Sequence, residues 1–428
     1  MALAGLTETV FKSGRSLGMD IFMKRSFRYI LFTALAVLTS FPPVDAAEPE
    51  QQEDKLLKIV VLSRHGVRSP TQNRTTLDQW SNKTWPRWPV NNGYLTERGK
   101  ELVRAQWEAI RPVLMEQGLL PEHACPEKAS YTLIADRDQR TRETAIAIFE
   151  GLAPGCGIRP EWGSRYNGLF HPSESDLAAI HTEKVLVELK QRLNALNTDA
   201  AAVAALNRIQ DITDCCGPAV CTKTAHENSC TLSELPTRTS VDYRKNKPEV
   251  SGKWPVASDI AEIMLLEYGQ WPDKNAGWGQ VDETVLRQIV PLHDKVFDAV
   301  NRTPVLAKAG ASRLLKAIEN ALLSETGPRL GFFVGHDTNI ANTGGLLGVD
   351  WTVPEQGVNP TPPGGFLTFE LWQKADGNRE VRINYHAPTF ASLHTRPAPV
   401  VRPLQVPVVP GVFEPETFER RVRQSVLP

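Results

Sequence analysis

The chain has 428 residues, 41% hydrophobic and 23% charged, so it is long enough to bury one large core or two lobes. Its formal net charge is −1, with no basic stripe and no acidic tail, which excludes a nucleic-acid-binding protein on charge grounds. A polyanionic partner would have to be attracted by the local field of a cleft.

The N-terminus is predicted to be a targeting segment. A basic region at 24–28 precedes an apolar run at 29–38, and Val44-Asp45-Ala46 is compatible with signal-peptide cleavage after Ala46. The run is too short to cross a bilayer comfortably, so a retained anchor is the weaker interpretation. We therefore expect a periplasmic or secreted protein, with no stable membrane association once residues 1–46 are removed.

The first motif of chemical interest follows a predicted buried strand at 56–62. It reads Ser63-Arg64-His65-Gly66-Val67-Arg68-Ser69-Pro70-Thr71, with Arg64 and Arg68 on either side of His65. A guanidinium is planar and permanently charged, and its geometry matches phosphate oxygens. Two of them around one imidazole favour a bound phosphate over a bare cation. The alternative is an arginine-rich surface loop.

A second predicted strand at 131–135 leads into Asp136-Arg137-Asp138-Gln139-Arg140 and then into a helix-like stretch at 141–151. One more arginine is thereby brought to a strand end. Arg137, Arg140 and Arg142 are all available, and solvated salt bridges with nearby carboxylates are the alternative for each. Only the strand-end position argues for Arg140, and spacing alone does not choose it over Arg137.

Helical periodicity dominates the middle of the chain. Apolar residues recur every 3.6 positions or so in four segments: 185–196, 200–209, 258–268 and 285–300. We expect a mainly α-helical cap domain at about 176–299, inserted into an α/β domain formed by 47–175 and 300–428. Such a cap would cover the strand ends and form the substrate cleft.

A third predicted strand at 330–335 ends at His336-Asp337-Thr338-Asn339. Ligands of open α/β sheets bind beyond the carboxyl ends of the strands, so these groups can meet those of the first motif despite the sequence gap. Taken alone, a His-Asp pair after a strand is more often a hydrogen-bonded turn. Further strands are predicted at 366–371 and 381–385, and the Pro- and Val-rich tail at 397–415 is predicted to run extended over the surface.

These motifs resemble the histidine acid phosphatases, in the bacterial periplasmic branch that includes phytases and glucose-1-phosphatase. The family pattern Arg-His-Gly-x-Arg-x-Pro matches residues 64–70 without a gap, and the His-Asp-Thr-Asn of the branch matches 336–339. The similarity extends over about residues 53–390. It implies a histidine phosphatase-like α/β fold, a sheet flanked by helices with an inserted helical cap.

The resemblance also implies a role for each motif residue. His65 would be the nucleophile that forms a phosphohistidine, Asp337 the proton donor, and the phosphate would be held by Arg64, Arg68, Arg140 and His336. A neutral imidazole can attack phosphorus in line, and the cations stabilise charge on the equatorial oxygens. A carboxyl facing a dianionic phosphate has a raised pKa, so we expect an acid pH optimum. We expect no cofactor.

His65, His336 and Asp337 are also the ligand set of a two-histidine, one-carboxylate metal centre. The two arginines of the first motif would repel a divalent cation in a site of reduced dielectric, whereas they attract phosphate. We therefore expect no metal ion.

The six cysteines all follow residue 46 and indicate disulfides in an oxidising compartment. Similarity to bacterial phytases implies the pairs Cys125–Cys156 and Cys221–Cys230. The adjacent Cys215-Cys216 stays unassigned, either a vicinal disulfide or two thiols. No Cys-x-x-Cys occurs, so the sequence indicates neither a zinc site nor a thioredoxin-like motif.

Within the resemblance, three residues match positions at the substrate: Thr71, Glu262 and Thr338. Two cations frequent in bacterial phytases are absent, because Gln72 replaces a lysine and Gly310 an arginine, although Lys308 could partly substitute. Glucose-1-phosphatases usually have asparagine in place of Gly66. We expect a monomeric, broad-specificity acid phosphatase with phytase activity that acts on small phosphate monoesters. The near alternative is a sugar phosphatase resembling glucose-1-phosphatase.

A hypothesis from another class is a non-catalytic protein that captures phosphate esters. The arginines would serve it equally, but capture needs neither a nucleophile nor a proton donor. The pair of His65 and Asp337 therefore favours the enzyme.

Overall fold

A mixed six-stranded sheet lies at the centre of the computed structural model, which describes residues 53–178, 182–217, 220, 230–242 and 247–427. The strands of the described residues are β1 (Lys55–Arg64), β2 (Tyr131–Ala135), β3 (Arg238–Asp242), β4 (Lys247–Ser251), β5 (Leu330–Gly335), β6 (Thr352–Val353), β7 (Gly357–Val358), β8 (Phe366–Gln373), β9 (Arg379–Ala387) and β10 (Leu404–Phe413). The sheet order is β10-β9-β8-β1-β5-β2, with β1, β5 and β2 mutually parallel. The other three strands join through successive antiparallel pairs, β8 with β1, β9 with β8 and β10 with β9.

Helices cover both faces of the sheet and fill the insertion between β2 and β5. They are α1 (Arg74–Trp80), α2 (Glu97–Glu116), α3 (Gln139–Leu152), α4 (Asn167–Phe170), α5 (Glu174–Ala178), α6 (Thr182–Ala195), α7 (Ala200–Thr213), α8 (Lys253–Gln270), α9 (Glu283–Asn301), α10 (Pro304–Leu323), α11 (Asp337–Leu347), α12 (Phe390–His394) and α13 (Pro415–Ser425). The predicted fold class, a sheet flanked by helices, is confirmed.

The central strands have nearly continuous apolar sequences because helices cover both faces of the sheet. On one face, Trp107 of α2 and Phe149 of α3 pack against Phe332 of β5. On the other face, Ile318 of α10 and Phe418 of α13 belong to a second cluster that contains the alternate residues of the same strands. The sheet is therefore held between two helical layers.

The insertion supplies most of a third hydrophobic cluster, which also includes Trp85 and Leu393 from outside it. The four helices predicted from periodicity correspond to α6, α7, α8 and α9, and most residues of α8 are buried because helices cover it on several sides. The β3–β4 hairpin was not predicted, since its strands are half exposed and lack a clear apolar alternation.

The C-terminal tail is extended, as predicted, but the prediction did not include a strand. Residues 404–413 form β10, the edge strand beside β9. The register shifts between Pro407 and Val412, which agrees with the rule that an edge strand tolerates proline because one row of its backbone groups needs no partner.

The described cysteines are all bonded. Cys125 pairs with Cys156, with 5.6 Å between their Cα atoms, and joins the segment before β2 to the segment after α3. The adjacent Cys215-Cys216 forms a vicinal disulfide. Cys230 is disulfide-bonded, and its expected partner Cys221 lies outside the described residues.

The predicted signal peptide, residues 1–46, also lies outside the described residues. Within the described part of the chain, no helix combines the length and the apolar character that a membrane span requires.

Candidate active site

The carboxyl ends of β1 and β5 bring two distant motifs together. Arg64, the last residue of β1, lies opposite Gly335, the last residue of β5. The backbone N–H of His65 donates to the Gly335 carbonyl at 3.1 Å. His336 follows as the N-cap of α11, and its backbone N–H donates to Asn339 Oδ1 at 2.9 Å. The parallel register therefore places His65 and His336 at one edge of the sheet, with their ring centroids 5.7 Å apart.

The His65 imidazole is buried and oriented by its own loop. Its Nδ1 lies 2.9 Å from the Gly66 carbonyl, which can only accept, so Nδ1 carries the hydrogen. Nε2 therefore presents a lone pair, with Arg68 Nε at 3.4 Å. Burial lowers the pKa of His65 well below its ordinary value, and Arg68 and Arg64 lower it further. The ring is neutral and nucleophilic at Nε2.

Three arginines lie near the His65 ring: Arg64 at the end of β1, Arg68 in the loop that follows, and Arg140 in α3. Arg64 is fully buried and donates to the Thr361 carbonyl and the Glu262 carboxylate. Arg140, in the first turn of α3, reaches the Gly93 carbonyl at 3.4 Å and Asp138 Oδ2 at 2.6 Å. The buried Nε groups of Arg64 and Arg140 have no acceptor among the described residues. Two guanidinium N–H groups of the cluster are therefore left unpaired by the described residues.

Asp337 is tied to the arginine cluster. Its Oδ2 lies 2.9 Å from Arg64 Nη2, and its Oδ1 accepts from the Thr338 backbone N–H at 2.7 Å. Burial alone would raise the pKa of Asp337, but Arg64 and Arg68 outweigh it and lower the pKa to about 2. The raised pKa expected for a carboxyl facing phosphate is therefore not the condition of the unliganded site, because the cations face the carboxylate directly.

Glu262 lies behind two of the arginines. It is buried in α8, and its Oε1 contacts Arg64 and lies 3.7 Å from Arg68 Nη2. Burial raises the pKa of Glu262, but the positive charge of Arg64 and its neighbours lowers it more. This residue was predicted to be at the substrate. The structure gives its carboxylate a fixed place as the counter-charge of the arginines.

Asp136 and His171 were not predicted as site residues. Asp136, just past β2, accepts hydrogen bonds at Oδ2 from His336 Nε2 at 2.7 Å and His171 Nε2 at 2.9 Å. The other nitrogen of His336, Nδ1, lies 3.3 Å from Arg140 Nη2. Burial lowers the pKa of His336, and Asp136 partly offsets that effect. Asp136 therefore fixes both the orientation and the tautomer of His336.

The sequence carried weak signals for this pair. Asp136 directly follows a strand, but a salt bridge with one of the nearby arginines was a sufficient explanation for it. His171 lies 35 residues further on and belongs to no motif. Only the fold brings them together.

Asp136, His171 and His336 also form a group that could hold a metal ion, since their donor atoms lie within 4.8 Å of one another. The short distances are already explained by the hydrogen bonds from His336 and His171 to Asp136. The Arg140 guanidinium, 3.3 Å from the same His336 ring, adds a fixed positive charge. The arrangement of these three residues therefore suits a site in which His336 binds an anion better than a site for a divalent cation.

A cavity of about 720 Å³ lies beside these groups. Thr338 and Gly310 line it, together with Asp259 of α8. Thr71 is exposed in the loop after Pro70, with its hydroxyl 3.4 Å from Gln72 Oε1. The structure thus brings the six residues predicted for catalysis and phosphate binding into one cluster, and Thr338 to the adjoining cavity.

Comparison with known proteins gives the family. The chain matches the model of the histidine phosphatase superfamily (branch 2) over residues 55–386. It is 32% identical to the phytase AppA of Escherichia coli over 369 residues, which cover 82% of this chain and 84% of that protein. It is 26% identical to the glucose-1-phosphatase of Salmonella typhimurium over 377 residues, 85% of this chain and 87% of that one.

Solved structures agree with the sequence comparison. The apo form of Hafnia alvei phytase superposes with a TM-score of 0.77 at 32% identity, covering 88% of this chain and 98% of that one. The phytase of Citrobacter braakii gives 0.76 at 29% identity, over 87% and 98%. The family predicted from the two histidine motifs is confirmed: the chain belongs to branch 2 of the histidine phosphatase superfamily.

Proposed function

We propose that this protein is an acid phosphatase that hydrolyses phosphate monoesters, phytate among them, through a phosphohistidine on His65. The observation that carries the proposal is the neutral His65 ring, whose Nε2 lone pair faces a cluster of arginines with Asp337 beside it. The resemblance to proteins named phytases and glucose-1-phosphatases supports the same class of reaction.

The first chemical step is transfer of the phosphoryl group to His65. Nε2 attacks phosphorus in line, the bond from phosphorus to the leaving oxygen breaks, and Asp337 gives that oxygen its proton. Arg64, Arg68 and Arg140 stabilise the negative charge on the equatorial oxygens, and His336 does so when its Nδ1 is also protonated, since Asp136 holds its Nε2–H. Because the Nδ1 hydrogen of His65 is held by the Gly66 carbonyl at 2.9 Å, the attacking nitrogen is defined in advance.

Asp337 must carry a proton for that step, although its pKa is about 2 in the unliganded site. A bound phosphate dianion neutralises the nearby arginines and adds like charge, and both effects raise the pKa of the carboxyl. Asp337 would therefore take up its proton as substrate binds, most readily in acid.

The second step returns the enzyme to its starting state. Water attacks the phosphohistidine, Asp337 as a carboxylate takes a proton from that water, and the bond between phosphorus and Nε2 breaks. Inorganic phosphate leaves, Asp337 releases the proton taken from water to the solvent, and the ion pair of Arg64 and Asp337 seen at 2.9 Å is restored.

Trapping the intermediate tests the mechanism. Wild-type protein and the His65→Ala and Asp337→Asn variants would be mixed with ³²P-labelled glucose 1-phosphate and quenched in alkaline detergent, since a phosphorus–nitrogen bond is acid-labile. We expect label on His65 in the wild type and none in His65→Ala. Turnover by His65→Ala, or an unlabelled active wild type, would contradict the proposal.

A glucose-1-phosphatase-like preference is the second candidate, and one observation favours it. Among the described residues that line the cavity, Lys247 alone carries a permanent positive charge, against Asp259 and Glu249. Comparing kcat/KM for phytate, glucose 1-phosphate and an aryl phosphate between about pH 3 and 7 ranks the substrates. A non-catalytic capture protein would bind all three and turn over none.

We also propose export to the periplasm. The predicted signal segment supports it, and so does the Cys125–Cys156 disulfide, because such bonds persist in oxidising compartments. A mature N-terminus at Ala47 in a periplasmic extract is the expected result.

A further inference from the structure

The cavity lined by Thr338 and His171 adjoins the groups proposed for catalysis, and the proposed function assigns to it the part of the substrate that remains after the phosphate is removed. Thr338, next to Asp337, lines it together with Asp259 of α8. Apolar side chains form much of its wall, among them Val296, Phe297 and Leu306. At neutral pH the charges among its described lining residues are Asp259 and Glu249 against Lys247, a negative balance that is unusual for a cavity that accepts a polyanion.

Asp259 is the lining acid that stands nearest to the arginine cluster. It precedes Glu262 by three residues and so shares its helix face, and Glu262 Oε1 lies 3.7 Å from Arg68. Gln72, four residues after Arg68, donates its amide to Asp259 Oδ2 at 3.0 Å. No donor among the described residues reaches Asp259 Oδ1. One oxygen is therefore positioned by the protein and the other is available to a ligand.

The surroundings of Asp259 place its ionisation within the working range of an acid enzyme. Burial raises the pKa of Asp259 to about 6, opposed by Gln72 and Arg68 and assisted by the negative charges of Glu262 and Asp337. Asp259 is thus neutral in moderately acid solution and negatively charged at neutral pH.

We propose that Asp259 is a specificity-determining residue that, when ionised, selects against esters carrying a second phosphate near the scissile one and favours esters with a hydroxyl there. The inference rests on the proposed hydrolysis at His65. A hydroxyl donates a hydrogen bond to the carboxylate, whereas a second phosphate meets like charge in a partly desolvated cavity. Once protonated, the carboxyl no longer repels phosphate and can donate to it. The discrimination should therefore depend on pH.

The test compares Asp259→Asn with the wild type on myo-inositol 1-phosphate and myo-inositol hexakisphosphate. At about pH 7, we expect the variant to raise the ratio of kcat/KM for the hexakisphosphate to that for the monophosphate roughly tenfold. At about pH 4.5 we expect less than a twofold change, because the wild-type carboxyl is already neutral. Comparing both proteins at the same pH cancels the titration of the substrates.

Two further variants separate charge from structure. Glu249→Gln removes an exposed acid of β4 that lines the same cavity, and should change the ratio less than threefold. Gln72→Lys leaves Asp259 in place and neutralises its field, so it should shift the ratio in the same direction as Asp259→Asn.

The outcomes distinguish this inference from the proposed function. An unchanged ratio at neutral pH in Asp259→Asn and Gln72→Lys, both still labelled at His65, would overturn the role of Asp259 alone. An equal change at acid and neutral pH would also overturn it, since shape and not charge would then be responsible. Absence of turnover and of His65 label in every form would instead contradict the proposed function.

Discussion

Arg64 Nη2 and Asp337 Oδ2 lie 2.9 Å apart, so the carboxyl proposed to protonate the leaving group is the ion-pair partner of a residue proposed to bind phosphate. Substrate must replace Asp337 as the counter-charge of Arg64 before the carboxyl can become an acid. Phosphate binding and proton uptake are therefore coupled through one guanidinium.

The proton-donor role predicts a dependence on the leaving group. Asp337→Asn should lower the rate of phosphoenzyme formation from glucose 1-phosphate by about 10²–10⁴-fold, because an alkoxide leaves poorly without a proton. The loss on p-nitrophenyl phosphate should be much smaller, since nitrophenolate is a stable anion. Single-turnover quench experiments measure both rates, with Asp376→Asn, an exposed loop acid, as the control. Equal losses on the two esters would refute the assignment.

The contact between Asp136 and His336 predicts an effect on phosphate affinity. Asp136→Asn removes the anion that accepts from His336 Nε2 at 2.7 Å, so the ring would carry positive charge less readily beside a phosphate. Charge-assisted hydrogen bonds are worth about 1.5–3 kcal/mol, so the inhibition constant of inorganic phosphate should rise roughly tenfold or more. His171→Asn, which keeps Asp136, should change it less than about threefold. Similar effects of the two variants would mean that Asp136 acts on the fold and not through His336.

A buried acid outside the site predicts a pH dependence of stability. Glu267 in α8 accepts from the Gly277 backbone N–H at 2.9 Å, and burial raises its pKa to about 7. Its pKa in the unfolded chain is about 4.3, so between these values only the unfolded state releases the proton. The free energy of unfolding should then fall by about 3 kcal/mol as pH rises from about 4.3 to 7. Urea denaturation of the wild type and Glu267→Gln across this range measures the effect. A wild type and a variant with the same pH slope would rule Glu267 out as its source.

The charge of the site predicts independence from metal ions. Activity on glucose 1-phosphate should be unchanged after dialysis against excess chelator, because the proposed mechanism holds the phosphate with arginines and not with a cation. Restoration of lost activity by a single divalent ion, and not by the others, would show instead that the donors at Asp136, His171 and His336 hold a metal.

The elements that could be predicted from the sequence are those with a clear local pattern of apolar residues. β1, β2 and β5 are apolar runs that end in polar motifs, and α6 to α9 show helical spacing, so each could be located without its neighbours. β10 was missed because proline argues against a strand, and only an edge position removes that objection.

Site residues that belong to a short sequence motif could be predicted. Those that are brought to the site only by the fold could not. His65, Arg64 and Arg68 share one short motif, and His336 and Asp337 another. Asp136, His171 and Asp259 act through partners 35 to 200 residues away, which no local pattern records. The low pKa of Asp337 was also beyond the sequence, since it depends on guanidinium positions in three dimensions.

The contact of Glu262 with both Arg64 and Arg68 limits how this enzyme can be re-engineered. The helical insertion is one continuous segment of the chain between β2 and β5, yet its Glu262 carboxylate neutralises and orients Arg64 of β1 and Arg68 of the following loop. A chimaera that carries the insertion of a relative, made to alter substrate preference, would leave both guanidinium groups without a counter-charge. It would need an equivalent acid at the position of Glu262 in the helix. Substrate choice and phosphoryl transfer are therefore not separable parts of this molecule.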